Sequence, residues 1–498
     1  MRITVKPRPK GALVFDGLAI SAVEGDDPGS EFARLDKELG GALSRRAKAE
    51  KFEGKSGQTL TITPLEGRHA ARIVVAGLGK KSELTAEKIR RAAAGCALAL
   101  RDSGAKTIAY PLEAGGARAL AVEERARAVA EGVTLALYTF DALKSEKEKK
   151  KVGELIVLAP DRASARAASL PARTGGIVAE SALLARDLIN YPANVATPTF
   201  LANQAKKMAA QRGVACKVFG PAEIRRMGMG GLMAVAKGSH EPARFIVLEY
   251  RKGPKGQKPI VMVGKGLTFD TGGISLKPAD KMHEMKSDMS GAAAVIGTAR
   301  ALAELKLPVN FVGLIPATEN MPGGSANKPG DVVKSLSGVT MEILNTDAEG
   351  RLVLSDALAY AARYKPEVIV DFATLTGACM VALGEHAAGL FTQDEKLAAQ
   401  LGAAGEATGE RVWRLPLWPE HEEDIKGDVA DIKNIGPRGG GASTAAAFLK
   451  KHVTAGPWAH VDIAGVAYTE KAKGYIRKGG VGVGVRLMVE FIEKRLGL

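Results

Sequence analysis

The chain of 498 residues contains only three cysteines, Cys96, Cys216 and Cys379. They are too few and too scattered for a disulfide framework or a thiolate metal site, and such sparing use fits a reducing, cytoplasmic setting. No stretch approaches the roughly 18 consecutive apolar residues that a membrane-crossing helix needs. The start, Met1-Arg2-Ile3-Thr4-Val5-Lys6, lacks the apolar segment of a secretory signal. Aromatic residues make up 5% of the chain, which argues against a stacking platform for single-stranded nucleic acid. The histidines are His69, His240, His283, His386, His421, His452 and His460. No two of them stand at H-x-x-x-H or H-E-x-x-H spacing, which excludes a zinc protease site built on a histidine pair.

What the chain has in excess is positive charge. The formal net charge is +15, and residues 1–175 carry more than half of it. An anionic partner such as DNA is one reading of that bias. The other is an ordinary solvated surface, because the excess is spread along the chain. Hydrophobic residues at 46% support a real core, and the length fits two or three domains.

In residues 1–170, short apolar runs alternate with helical patterns. Ala12–Phe15, Leu60–Thr63, Arg72–Ala76 and Leu155–Leu158 read as strands, while Ala86–Asp102 and Val122–Thr139 read as helices. That alternation predicts an N-terminal α/β domain. Residues 144–151, KSEKEKKK, read as a solvated loop. The Ala/Arg/Ser-rich stretch Asp161–Arg173, which contains Pro171, reads as a linker, followed by a joining helix up to Asn190. The expected division is 1–170 for the first domain, 171–190 for the linker helix and 191–498 for a larger C-terminal catalytic domain. There, Phe245–Leu248, Ile260–Val263, Phe311–Ile315 and Val368–Phe372 are apolar on both parities and separated by helical patterns. This predicts an α/β/α domain around a central, largely parallel sheet.

Chemistry gathers at the ends of those strands. The stretch Asn345-Thr346-Asp347-Ala348-Glu349-Gly350-Arg351-Leu352 leads into a helical pattern. If extended, it would project Asp347, Glu349 and Arg351 to one side. Taken alone, an Asp-x-Glu before a helix reads as a cap. A second block upstream changes that weighting. Val263-Gly264-Lys265-Gly266-Leu267-Thr268-Phe269-Asp270-Thr271-Gly272-Gly273-Ile274-Ser275-Leu276-Lys277-Pro278 follows an apolar strand, and Met285-Lys286-Ser287-Asp288-Met289-Ser290-Gly291 follows soon after. The glycines of the first block form neither G-x-G-x-x-G nor G-x-x-x-x-G-K-[ST], so it is neither a dinucleotide nor a phosphate loop. Lys265 and Asp270 read as neighbours across a glycine-flanked turn. Four carboxylates and two lysines at element ends point to a dinuclear site of hard oxygen ligands suited to Mg, Mn or Zn.

These blocks resemble the cytosolic leucyl aminopeptidase family of two-metal exopeptidases. The match rests on the eight residues NTDAEGRL together with VGKGLTFDTGGISLKP and MKSDMSG, in the family's order and spacing. It is strong from about residue 180 onward. The resemblance implies that Lys265, Asp270, Asp288, Asp347 and Glu349 bind two divalent ions, Mn or Zn. It implies that Lys277 and Arg351 are catalytic, with a bicarbonate ion held at Arg351, and that Met285, Thr374, Gly377 and Ala464 form an apolar substrate pocket. Ala467 falls in the same neighbourhood and leaves room for a larger side chain. The expected substrates are peptides with a free N-terminus carrying leucine or another apolar residue. The expected assembly is a cytoplasmic homohexamer with no membrane association. Some family members also bind DNA, so a DNA-binding accessory role on the same scaffold is the alternative reading.

Overall fold

The computed structural model describes residues 1–9, 15–25, 29–63, 70–112 and 120–498. The expected strand at Ala12–Phe15 falls almost wholly outside them, as does His69. Two compact units are present: Met1–Leu183 with Lys471–Arg477, and Leu184–Glu470 with Lys478–Leu498.

The first unit is built on a six-stranded sheet. Its strands run Arg2–Pro7, Glu154–Ala159, Thr107–Pro111, Gly17–Ala22, Arg72–Gly77 and Thr59–Ile62 in spatial order. All pair in parallel except the last, which is antiparallel to Arg72–Gly77. The helix Ala86–Asp102 has the expected limits, and the Thr85 hydroxyl caps it by accepting from the Lys88 N–H. The second helix stops at Ala136, before Tyr138-Thr139-Phe140, a run of poor helix formers.

The stretch expected to be a linker is helical. A single helix spans Arg162–Asn190 with Pro171 inside it, and Asp161 Oδ1 accepts from the Ser164 N–H at 2.8 Å in a capping contact. Alanine and arginine are among the better helix formers. Ala165, Ala168 and Ala172 bury one stripe of this helix, and that packing outweighs the hydrogen bond that Pro171 removes.

The second unit carries a nine-stranded sheet. In order, its strands are Val412–Arg414, Ala388–Phe391, Trp458–Asp462, Val368–Ala373, Ile260–Gly264, Asn310–Asn320, Arg244–Arg251 and Ala215–Phe219. The ninth, Gly266–Asp270, pairs in parallel with the far half of the long strand Asn310–Asn320. The strands from Trp458–Asp462 through Asn310–Asn320 are mutually parallel. The strand holding Phe245–Leu248 is antiparallel to its neighbour, a direction that apolar runs alone do not encode. Both faces are covered. Val261, Val263, Val312 and Leu314 share a core with Leu352, Val353 and Leu358 of the helix Gly350–Ala361. The alternate residues Ile260, Met262 and Phe311 are also buried and face the opposite side. There Val295 of the helix Ser290–Leu305 lies so close to Gly313 that a Cβ would come within 2.5 Å. Lys265, Asp270, Thr374 and Asp462 all stand at or just past the C-terminal ends of parallel strands, where open α/β sheets place ligands.

Candidate metal centre

Lys265 directly follows the strand Ile260–Gly264, and its N–H donates to Phe372 O at 3.0 Å on the neighbouring strand. Its side chain reaches past Gly350, where a Cβ would lie 2.6 Å from Lys265 Cε and 2.7 Å from Nζ. Any other residue at 350 would obstruct that path. Gly272 is constrained twice. Its φ is +88°, and a Cβ there would meet Ser275 O at 2.4 Å and Asp347 Oδ1 at 2.9 Å.

The stretch from Asn345 to Arg351 is not extended. Residues 346 and 347 form a turn, Glu349 has α-region angles (φ −78°, ψ −32°), and Arg351 lies in the first turn of the helix Gly350–Ala361. The turn is fixed by hydrogen bonds to neighbouring loops. Asp347 N–H donates to Asn345 Oδ1 at 2.8 Å. Thr346 Oγ1 donates to Gly272 O at 2.6 Å and accepts from the Ser275 N–H at 2.8 Å. The Thr346 N–H donates back to Ser275 Oγ at 3.1 Å.

This geometry brings Asp270, Asp347 and Glu349 together, with one carboxylate oxygen from each within 4.8 Å of the others. The two lysines lie between the acids. Lys265 Nζ is 2.8 Å from Asp288 Oδ2, 2.9 Å from Glu349 Oε1 and 3.0 Å from Thr374 O. Lys277 Nζ is 2.8 Å from Asp270 Oδ2 and also contacts Asp347 Oδ1. The expected pairing of Lys265 with Asp270 is therefore replaced by one with Asp288 and Glu349. The residues between 265 and 270 form a strand rather than a turn, so they do not fold one side chain back on the other.

Asp270 Oδ1 accepts from Asn320 Nδ2 at 2.8 Å and from the Gly272 N–H at 2.9 Å. Asp288 Oδ1 accepts from Thr374 Oγ1 at 2.6 Å. Glu349 Oε2 is buried with no hydrogen-bond partner among the described residues. Arg351 Nη1 donates to Asn434 O at 2.7 Å, while its Nε has no hydrogen-bond partner among the described residues.

The electrostatics follow from burial and crowding. Burial, then the Asp270 charge, pushes the Glu349 carboxyl up to about 8. Burial also raises Asp288 and Asp347. Burial works against both ammonium groups, yet the surrounding carboxylates win and hold Lys265 and Lys277 above the usual lysine range. Burial lowers Arg351 to about 10, still protonated at neutral pH. Four acids thus share two ammonium groups in a largely buried space, and Glu349 keeps its proton at neutral pH unless cations enter to replace it. Oxygen donors, one carboxyl oxygen with nothing against it and more acids than ammonium groups to pair them all fit hard divalent ions.

Of the expected pocket residues, Thr374 touches both Asp288 and Lys265. Gly377 begins a short helix, Gly377–Leu383. Asp462 ties this region to Ala464: its Oδ1 accepts from the N–H groups of Leu375 and Ala464, both at 3.1 Å, and its Oδ2 from Thr376 Oγ1 at 2.7 Å. Met285 sits half-buried in the 3-10 turn Met282–Ser287, just before Asp288. Ala467 is buried.

Sequence reasoning missed Asn320, Asp462 and above all Asn434. The Asn434 side chain accepts from the N–H groups of Leu344 (2.9 Å) and Asn345 (3.2 Å) and donates to Asn345 O (2.7 Å) and Ala348 O (3.3 Å). Its backbone carbonyl holds Arg351. It lies far from the other site residues in sequence and in no motif, so spacing offers no signal for it.

An oxygen-rich, anionic cluster at the C-terminal edge of a parallel sheet defines a metal-dependent enzyme of the α/β class. The catalytic domain of the cytosol aminopeptidase family matches residues 183–489, and the N-terminal domain of the same family matches residues 17–147. The probable cytosol aminopeptidase of Geobacter sulfurreducens is 48% identical over 99% of both chains. That of Nitrosococcus oceani is 44% identical over 96% of this chain and 95% of its own. Among solved structures, a variant of tomato leucine aminopeptidase superposes with a TM-score of 0.89 at 35% identity, covering 99% of this chain and 96% of its own. The bottromycin maturation enzyme BotP, in complex with Mn, gives 0.85 at 38% identity over 96% and 99%. The chain belongs to the cytosol aminopeptidase family and is a metal-dependent aminopeptidase. Among the described residues, no helix is long and apolar enough to cross a membrane.

Proposed function

We propose that this aminopeptidase works with two divalent ions, Mn or Zn, to release N-terminal leucine and other apolar residues from peptides. The carrying observation is the convergence of Asp270, Asp347 and Glu349, with Glu349 Oε2 left without a partner. Asp288 and a neutral Lys265 complete the proposed ligand set. When bound, the ions supply Lewis acidity and a water of lowered pKa.

The chain's own residues divide the remaining work. The Lys265 side chain is 4% exposed and that of Lys277 is 22%. The enclosed lysine suits a ligand, and the more open one suits stabilising charge that builds on the peptide carbonyl oxygen. The free amino group of a substrate would serve as a ligand to one of the ions, which would account for action at free N-termini. Arg351 is a poor base because it stays protonated. Its Nε, free of protein acceptors among the described residues, suits a planar oxyanion, and bicarbonate is the candidate. Met285, Thr374, Gly377 and Ala464 are assigned to the side-chain pocket, with Ala467 favouring a larger residue than leucine alone would fill.

A cytoplasmic location belongs to the same reading, supported by the relatives' names, and homohexameric assembly rests on the resemblance to the family alone. The comparisons lend no support to a DNA-binding role. The test is hydrolysis of leucine p-nitroanilide after chelation, with elemental analysis during re-addition of Mn, Zn or Mg. Activity should fall to background and return with about two ions per chain, as a paired-ion site requires. Full activity in metal-free protein would refute the reading.

A further inference from the structure

Away from the carboxylate cluster, a cavity of about 530 Å³ opens between the segment Arg225–Met233 and the hairpin turn Lys334–Gly338. That volume is typical of small-molecule sites, which run from about 300 to 1,000 Å³. Its walls carry two chemistries. Met227, Met229 and Met233 give an apolar side that adapts to shape. Arg225 and Lys334 give two cations that make no salt bridge among the described residues, and no Asp or Glu among those residues lines the space.

Ser335 and Ser337, on the same wall, form a hydroxyl pair 2.8 Å apart. Ser337 Oγ is 2.9 Å from His452 Nδ1, and Ser335 Oγ is 3.3 Å from the same nitrogen. His452 is fully buried, and burial lowers its pKa to about 3, so the ring is neutral. Its Nε2 has no partner among the described residues. A buried N–H without an acceptor costs more than a bare ring nitrogen. The proton therefore belongs on Nδ1, donated to Ser337, whose own hydroxyl lies 2.8 Å from Ser335 Oγ, which in turn donates to Val339 O at 3.1 Å.

We propose that this cavity binds a monocarboxylate with an apolar chain. The carboxylate meets Arg225 and Lys334, and the chain lies along the methionines. A free amino acid fits less well, because no acid lines the cavity to take its ammonium group. The two walls are also joined to the catalytic helix. Asp356 Oδ1 accepts from the Leu336 N–H at 2.7 Å and its Oδ2 from the Leu232 N–H at 2.8 Å. Asp356 sits on the helix Gly350–Ala361, whose first turn holds Arg351.

The experiment is calorimetric titration of the full-length, Mn-loaded protein with octanoate, with octylammonium as the control of opposite charge. One octanoate per chain is expected, with no octylammonium bound. The double variant Arg225→Ala, Lys334→Ala should weaken binding at least tenfold while hydrolysing leucine p-nitroanilide as the parent does. Met233→Trp, which fills the cavity, should abolish binding. Lys277→Ala should leave it intact. The proposal is overturned if octanoate does not bind, if octylammonium binds equally, if binding survives both cavity variants, or if Lys277→Ala removes it and so places the ligand in the catalytic site.

Discussion

Both units bury carboxylates inside α/β sheets, but they neutralise them differently. In the first unit, Glu31 and Glu131 are each 1% exposed. Arg8 and Arg34 meet Glu31, with the Arg34 contact at 3.0 Å, and Arg90 and Arg127 meet Glu131 at 2.7 and 3.1 Å. Each buried acid there has at least as much positive charge against it. In the second unit, Asp270, Asp288, Asp347 and Glu349 make ion pairs with Lys265 and Lys277 among the described residues. Burial alone does not separate a structural charge from a functional one. The local balance of charge is more informative, because a buried acid without a facing base must either keep a proton or receive a cation.

The sharpest way to break this contrast is to remove the two lysines singly. Lys277→Ala should lower kcat and kcat/KM alike by about 10²–10³, the loss typical of an oxyanion donor, with metal retained. Lys265→Ala should lower metal occupancy and activity together, and excess metal should recover part of the rate. Metal content and both kinetic constants decide it; metal lost from Lys277→Ala and kept in Lys265→Ala would reverse the assignment.

Next in size is the first unit's own pair. Arg90→Ala leaves Glu131 buried with less positive charge and should destabilise that unit by about 3 kcal/mol, while kcat per folded molecule stays unchanged. Urea unfolding alongside active-site titration measures both, and a fall in kcat would show that the first unit's charges are not purely structural.

Asn434→Ala should weaken metal affinity by about 10–100-fold, as loss of an orienting partner does. Wild-type metal affinity in a folded Asn434→Ala protein would show that the Leu344–Ala348 loop holds its shape without that amide.

Asp356 supplies the smallest effect and a third kind of buried acid, met by backbone N–H groups instead of cations. Burial raises its carboxyl from 3.8 to about 7. The folded state then keeps a proton that the unfolded state has released, so this group's contribution to stability falls as pH rises from about 4 to about 7. Asp356→Asn removes that slope. The urea midpoint of the parent minus that of Asp356→Asn should fall over this window, and a difference independent of pH would contradict the raised carboxyl.

Strands such as Arg72–Gly77 and Val368–Ala373 were legible because β-branched runs register burial directly. The acids and lysines of the site were legible because their types and spacing sit at strand ends. Three features were not. Pro171 read as a break because its cost is local, whereas the buried stripe that offsets it is set by tertiary packing. The lysine pairing was misjudged because Gly266–Asp270 gains a strand partner in Asn310–Asn320 that no local pattern announces. The role of Asn434 consists entirely of hydrogen bonds to groups distant in sequence, and an isolated asparagine gives no sign of them.

That asparagine also bears on the timing of synthesis. Chains emerge from the ribosome N-terminus first, and domains generally fold as units. Lys265, Asp270 and Asp288 emerge first, but the loop bearing Asp347 and the arginine at 351 are held by a residue made well after them. An aminopeptidase active while still growing would stand beside the fresh N-termini of its neighbours on the same message. Placing a tie at 434 means that the centre closes only after residue 434 has left the ribosome.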